Sequence, residues 1–144
     1  MKIALCFCGQ ARSFEKGYVY YKRNLLPFHD VDIYIHTWNS DANDRLLELY
    51  KPKDHQFDNK PTFDGYNENY PRTPEPENRP PWNAYCMFYS MFRVSQMVEG
   101  QANYDWVIKS RTDYALNVAL PLHKLDNSRS EEHTSELQSL RHLV

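Results

Sequence analysis

The chain has 144 residues, enough for one domain and too few for two. Its 17 Lys and Arg against 19 Asp and Glu give a net charge of −2, so nothing in the electrostatics favours nucleic acid, and no basic arm or polybasic membrane patch is present. Aromatic residues make up 15% of the chain, a composition that supports a packed core over most of its length rather than disorder.

The first predicted element is Ile3–Cys8, a continuous apolar run bounded by Gly9. Such a run fits a strand buried on both faces, as in a parallel sheet. It is too short for the core of a signal peptide, and no segment of the chain could span a bilayer, so a cytoplasmic protein is expected. The three cysteines, Cys6, Cys8 and Cys86, read as reduced thiols. Cys6 and Cys8 share one face of the strand, where two small buried residues are expected rather than a metal pair. Ser13 is placed to cap a following helix, with Glu15 in its first turn. Phe14, Tyr18, Tyr21 and Leu25 form one helical stripe, and Pro27 ends it.

Val31, Ile33 and Ile35 alternate with polar neighbours and predict a second strand. A loop over His36–Ser40 and a short helix over Asp41–Tyr50 follow, stopped by Pro52. Residues 51–81 read as an irregular, proline-rich loop, with five of the nine prolines in Pro71–Pro81 and room for a short strand near His55–Asp58. Pro81 and Trp82 open the longest helix, with Ala84, Met87, Phe88, Met91, Val94 and Val98 as its expected apolar face and Gly100 as its stop. Tyr104–Lys109 predicts a further core strand with Trp106, Val107 and Ile108 buried, and Tyr114–Leu120 a last one. The alternation implies an α/β fold with a Rossmann-like, mostly parallel sheet and helices on both faces.

In open α/β sheets ligands bind outside the carboxyl ends of the strands. Three clusters follow strands on that rim: Gly9-Gln10-Ala11-Arg12, His36-Thr37-Trp38-Asn39 and Ser110-Arg111-Thr112-Asp113. Gly9 permits close approach of the backbone before a helix N-terminus, where an anion is favoured, and Arg12 can grip a phosphate in bidentate fashion. The same residues also fit an ordinary strand-to-helix turn. Asp113 can hold a divalent cation that bridges a diphosphate, with Arg111 on a phosphate, or the two can simply pair with each other. His36 is a base, a donor to ligand, or a satisfied structural residue; Trp38 is a stacking platform or core. The Asp30-Val31-Asp32 sequence precedes its strand and therefore belongs to the opposite rim. Cys86, Tyr89 and Ser90 are expected to pack rather than react.

Residues Arg129–Val144 have a different character. Codon by codon, the run Arg129–Ser139 back-translates into a widely used sequencing-library adapter, with a short variable index after it. Residues 1–128 are therefore expected to be a truncated α/β domain and 129–144 a non-native tail. Two Arg and three Glu leave with the tail, so the remaining net charge is −1. The natural chain is then expected to continue past Ser128, and the 144-residue chain to be inactive or nearly so.

Taken together, KIALCFCGQARSFEKGY, DVDIYIHTWN, MFYSMF and YDWVIKSRTDYAL resemble glycosyltransferase-like proteins of viral, phage and bacterial polysaccharide loci. The likeness covers most of residues 1–120 outside the proline-rich stretch. It implies a GT-A kind of fold, a nucleotide-diphosphate sugar as donor, a glycan or other acceptor, and Mg²⁺ or Mn²⁺. By position it implies nucleotide contacts from Gly9, Gln10 and Arg12, and Asp113 at the metal-binding acidic motif with Arg111 beside it. This chain has Arg-Thr-Asp where many such enzymes have two carboxylates. A nucleotidyltransferase would share the Gly9 turn and Asp113, whereas in a non-catalytic nucleotide- or sugar-binding module alanine at Asp113 would leave ligand affinity and full-length activity unchanged.

Overall fold

The computed structural model describes residues 1–60, 81–101 and 103–124. The chain runs β1 (Lys2–Cys8), α1 (Phe14–Asn24), β2 (Asp30–Trp38), α2 (Asn43–Tyr50), β3 (Asp54–Asp58), α3 (Pro81–Val98) and β4 (Trp106–Ser110), with single 3-10 turns at Leu26–Phe28 and Leu122–Lys124. The four strands form one sheet in the order β3-β2-β1-β4, and every neighbouring pair is parallel. This is the Rossmann-like α/β arrangement that the alternation of elements predicts.

β1 lies inside the sheet and is covered on both faces, which is why its sequence is apolar without alternation. Ile3, Leu5 and Phe7 point to one side, where Phe14 and Tyr21 of α1 and Leu46 and Tyr50 of α2 close over them. Burying each large side chain of this kind contributes about 1.5–3 kcal/mol. The Phe7 ring meets Tyr21 and Tyr50 edge-on at 5.0 Å in each case, a geometry that suits the ring quadrupoles. Ala4 and Cys6 point to the other side, against Tyr34 of β2 and Val94 of α3. Cys6 is a buried free thiol, and burial pushes its pKa up to about 12, so it is inert packing.

The boundaries and faces differ from expectation in several places. β2 continues through Trp38, so His36 and Trp38 are strand residues rather than loop residues. Ser13 precedes α1 with φ 46° and makes no side-chain cap bond, so the helix entry is set by a left-handed residue instead of a hydroxyl. α3 buries Cys86, Ser90 and Val94, with Met97 packed beside them, while Met87 and Phe88 are exposed. Of the expected apolar face Val94 is buried but Met87 and Phe88 are not; the small Cys86 and Ser90 meet the sheet instead, which allows close approach. On β4, Ile108 is buried but Val107 is 48% exposed, since α3 packs chiefly over β1, β2 and β3.

Residues 114–120 are not a strand. Tyr114, Leu116 and Leu120 instead pack onto the α1 side of the core, and the Asn24 amide donates to the Leu116 carbonyl. The expectations for Arg129–Val144 and for the proline-rich residues 61–80 lie outside the described residues.

Candidate functional site

The strand order fixes where the sheet opens. β1 and β4 are neighbours, yet the chain leaves β1 through α1 on one face and reaches β4 from α3 on the other. The loops that follow β1 and β4 therefore start side by side from the carboxyl rim at the switch in strand order, the place where α/β sheets hold ligands. The register pairs Phe7 with Ser110, which sets Cys8 and Gly9 beside Arg111.

Several contacts hold these two loops together. The Tyr21 hydroxyl lies 2.7 Å from Ser110 Oγ and donates to the Arg111 carbonyl at 3.2 Å. Thr112 Oγ1 donates to the Arg12 carbonyl at 3.4 Å. The closest packing is at Gly17, where a Cβ would lie 1.9 Å from the Thr112 carbonyl oxygen. Only glycine lets α1 carry the 112–114 segment at this distance.

Arg111 donates to both oxygens of Asp113, Nε to Oδ1 at 2.9 Å and a terminal nitrogen to Oδ2 at 2.7 Å. Asp113 holds the guanidinium protonated, and the Arg111 side chain is still 55% exposed. Arg12 is also at the surface and donates twice to the Gln10 side-chain oxygen, at 3.1 and 2.7 Å. Two guanidiniums thus stand at the rim with groups that an anion can replace. Asp113 also lines a cavity of about 520 Å³ with Ser13, Lys16, Gly17, Val19, Tyr20 and Ala115.

His36 and Trp38 belong to the same rim but to the other face of the sheet, under α3. Both are nearly or fully buried. Trp38 stacks on Tyr89 at 5.9 Å and 20°, and His36 meets the Trp38 ring edge-on at 5.4 Å. Both ring nitrogens of His36 are engaged: Nδ1 lies 2.7 Å from Ser90 Oγ, and Nε2 lies 3.0 Å from Asp58 Oδ2. Burial lowers the His36 pKa, and Asp58 opposes that shift. The Asp58 carboxyl is held below its usual range by hydrogen bonds from Gln56, His36 and Tyr89. The structure therefore brings Gly9, Gln10, Arg12, Arg111 and Asp113 together at the switch point, and sets His36 and Trp38 apart in a packed polar cluster.

Asp58 and Gln56 carry no signal in the sequence as site residues, and Ser90 and Tyr89, expected only to pack, make polar contacts to His36 and Asp58. Asp58 falls at the end of a five-residue strand whose partner on the helix comes 31 residues later, so no local pattern joins them.

Asp30 and Asp32 are the first and third residues of β2 rather than residues before it, and as its amino end they occupy the opposite rim. Asp32 accepts from Lys53 at 2.7 Å and from the Tyr104 hydroxyl at 2.6 Å, and these bonds hold its carboxyl below the usual range. A cavity of about 360 Å³ lies beside these residues.

For a divalent cation, Asp113 offers one carboxylate, and no group of three or more His, Cys, Asp or Glu converges among the described residues. One carboxylate together with diphosphate oxygens is a donor set that Mg²⁺ uses. Asp113 fits a cation in that company, provided Arg111 turns from the carboxylate to a phosphate. Among the described residues no helix is long and apolar enough to cross a membrane. Comparison with known protein families, with curated proteins and with solved structures finds no match.

Proposed function

We propose that this chain binds the nucleoside diphosphate of an activated sugar and is the donor-binding part of a glycosyltransferase that passes the sugar to a glycan or other acceptor. The observation that carries the reading is the strand order β3-β2-β1-β4, which makes the ends of β1 and β4 the switch point, with Arg12 and Arg111 exposed on the two loops there. The sugar rather than another activated group rests on the resemblance of the four sequence motifs.

Within this reading each residue has a physical task. Gly9, with φ 93°, turns the chain out of β1 without a Cβ in the way of the diphosphate. Arg12 releases Gln10, and Arg111 releases Asp113, to make charge-assisted bonds to phosphate oxygens. As an acceptor hydroxyl attacks the anomeric carbon and the nucleoside diphosphate departs, the two guanidiniums stabilise the negative charge that accumulates on the leaving group. Mg²⁺ or Mn²⁺, held by Asp113 and the diphosphate, supplies further charge stabilisation when bound. His36 and Trp38 support the rim from beneath the sheet and do not touch the donor.

Isothermal titration with UDP, GDP, ADP and dTDP, each with and without Mn²⁺, tests the reading. One nucleoside diphosphate is expected to bind. Arg12→Ala and Arg111→Ala are each expected to weaken it about tenfold or more, the effect of losing a hydrogen bond to a charged group. No binding of any nucleoside diphosphate under either condition would sink the proposal. Turnover that releases pyrophosphate instead of a nucleoside diphosphate would move the chain to the nucleotidyltransferases.

A further inference from the structure

The backbone N–H of Gly9 does not face the rim. It donates to Ser90 Oγ on α3 at 2.6 Å, from the far side of the sheet. The same oxygen lies 2.7 Å from His36 Nδ1 and 3.2 Å from the His36 carbonyl. His36 Nε2 in turn lies 3.0 Å from Asp58 Oδ2. His36 and Ser90 are both fully buried. A buried chain therefore runs Gly9–Ser90–His36–Asp58, joining the turn after β1 to the end of β3.

We propose that this chain is a proton-sensitive latch on the Gly9 turn, with Ser90 as the positioning residue that reports the state of His36 to the rim.

The Asp58 carboxylate can only accept, so His36 Nε2 carries a proton in both states of the ring. In the neutral ring Nδ1 is bare, and the Ser90 hydroxyl must donate to it. The bonds then run head to tail, Gly9 N–H to Ser90, Ser90 O–H to His36, His36 N–H to Asp58, and each strengthens the next. When the ring takes a second proton, Nδ1–H donates to Ser90 Oγ, and the hydroxyl proton must turn to the His36 carbonyl, which is within reach. Ser90 Oγ then accepts from both Gly9 and the imidazolium. Its two lone pairs allow this, but an oxygen that already accepts a cationic donor is a poorer acceptor for Gly9. The latch loosens without any group being left unpaired.

The groups that face the ring come from three elements. Asp58 lies on β3, and Tyr89 and Arg93 lie on α3, where Tyr89 donates to Asp58 at 3.0 Å and Arg93 is 3.8 Å from it. Cys8 is the register partner of His36 on β1. Asp58 favours the charged ring, while Arg93 and burial oppose it. Gly9 sits at φ 93°, which glycine adopts without strain, and the Ala11 N–H is tied separately to Thr37 Oγ1 at 3.2 Å, so loss of the Ser90 bond acts on the Gly9 amide itself.

The functional consequence rests on the reading of the Gly9 turn as part of the donor site; the latch itself does not. The test is an NMR titration of ¹⁵N-labelled full chain from pH 8 to pH 5, following the Gly9 amide and the His36 ring together. The Gly9 amide proton is expected to move upfield with the His36 midpoint, which should lie below 6.5. In Ser90→Ala the Gly9 amide should stop following His36. In Asp58→Asn, where the ring loses its favourable charge, both midpoints should fall together; this arm decides if Ser90→Ala fails to fold. A Gly9 amide that stays flat while His36 titrates, or that follows another midpoint, overturns the latch, as does a ring that never titrates in the folded protein. A working latch in a chain that binds no nucleoside diphosphate would leave this inference standing and remove the donor-site reading.

Discussion

The two halves of the carboxyl rim use polar residues in opposite ways. At the ends of β1 and β4, guanidiniums and a carboxylate stand at the surface in local pairs, Arg12 with Gln10 and Arg111 with Asp113. At the ends of β2 and β3, His36, Asp58, Tyr89 and Ser90 are tied to one another beneath α3, with His36 and Ser90 wholly out of water. The first arrangement leaves groups that a ligand can recruit at small cost. The second has few hydrogen-bonding positions to spare, and breaking it exposes a desolvation penalty. A polar residue after a strand is therefore not evidence of a ligand until its partners are known.

The largest effect expected is on the buried half. Trp38→Ala removes a ring stacked on Tyr89 and set against His36, and should cost about 3–5 kcal/mol, read from urea unfolding. Nucleoside diphosphate affinity of the protein that remains folded should hardly change. A loss of affinity with stability intact would break the comparison, because it would make Trp38 a ligand contact. Next comes Gly17→Ala, on the opposite face. Its new Cβ meets a backbone carbonyl that cannot rotate away, so α1 or the 112–114 segment must shift, at about 1–3 kcal/mol. Here affinity should fall as well, since the segment that shifts carries Asp113.

The pH dependence of stability sharpens the same contrast. The His36 pKa is lowered from 6.5 on folding, chiefly by burial. Between that lowered value and 6.5 the unfolded chain binds the extra proton more readily than the folded one. Stability is therefore fully present above 6.5 and is lost as pH falls through this window. Asp58 adds a loss at lower pH, as its depressed carboxyl is protonated. His29 is lowered as well and acts with the same sign as His36. The comparison that isolates the buried site is thus wild type against His36→Gln: the urea midpoint should fall less between pH 7.5 and 5.5 in the variant. Equal slopes would show that the buried histidine does not govern this region.

How much of this was legible in the sequence follows from the range of the interactions. β1 could be read because burial on both faces leaves an unbroken apolar run, and the D-x-D at Asp30 could be set aside because it lies at the amino end of a strand, away from the carboxyl rim. α3 could be located but not oriented. Val94 is buried as its apolarity suggests, but Cys86 and Ser90 share its face in place of Met87 and Phe88, and no hydrophobicity pattern ranks a serine above those two. The Ser90–His36–Asp58 cluster joins residues 54 and 22 positions apart, so neither spacing nor local composition signals it. The separation of Trp38 from Asp113 likewise depends on which face of the sheet each leaves. A strand residue's parity gives that only once the true end of the strand is known.

The smallest stability effect is expected at Arg111 and Asp113, and it bears most directly on the proposed site. The pair is bidentate, but Arg111 is 55% exposed and the two residues are only two apart, so water and salt compete for both groups. A double-mutant cycle with Arg111→Ala and Asp113→Ala should give a coupling below about 1 kcal/mol in unfolding. If the pair were structural, that would be the end of its role. If the pair is a resting arrangement that yields to a diphosphate, the two single variants should part company in ligand binding. Arg111→Ala should weaken nucleoside diphosphate binding with or without Mn²⁺. Asp113→Ala should abolish whatever enhancement Mn²⁺ provides, while leaving Arg111 freer to meet phosphate in metal-free buffer. Equal losses in both variants, unaffected by Mn²⁺, would mean that the ion pair itself shapes the loop, and the exposed half of the rim would then resemble the buried half after all.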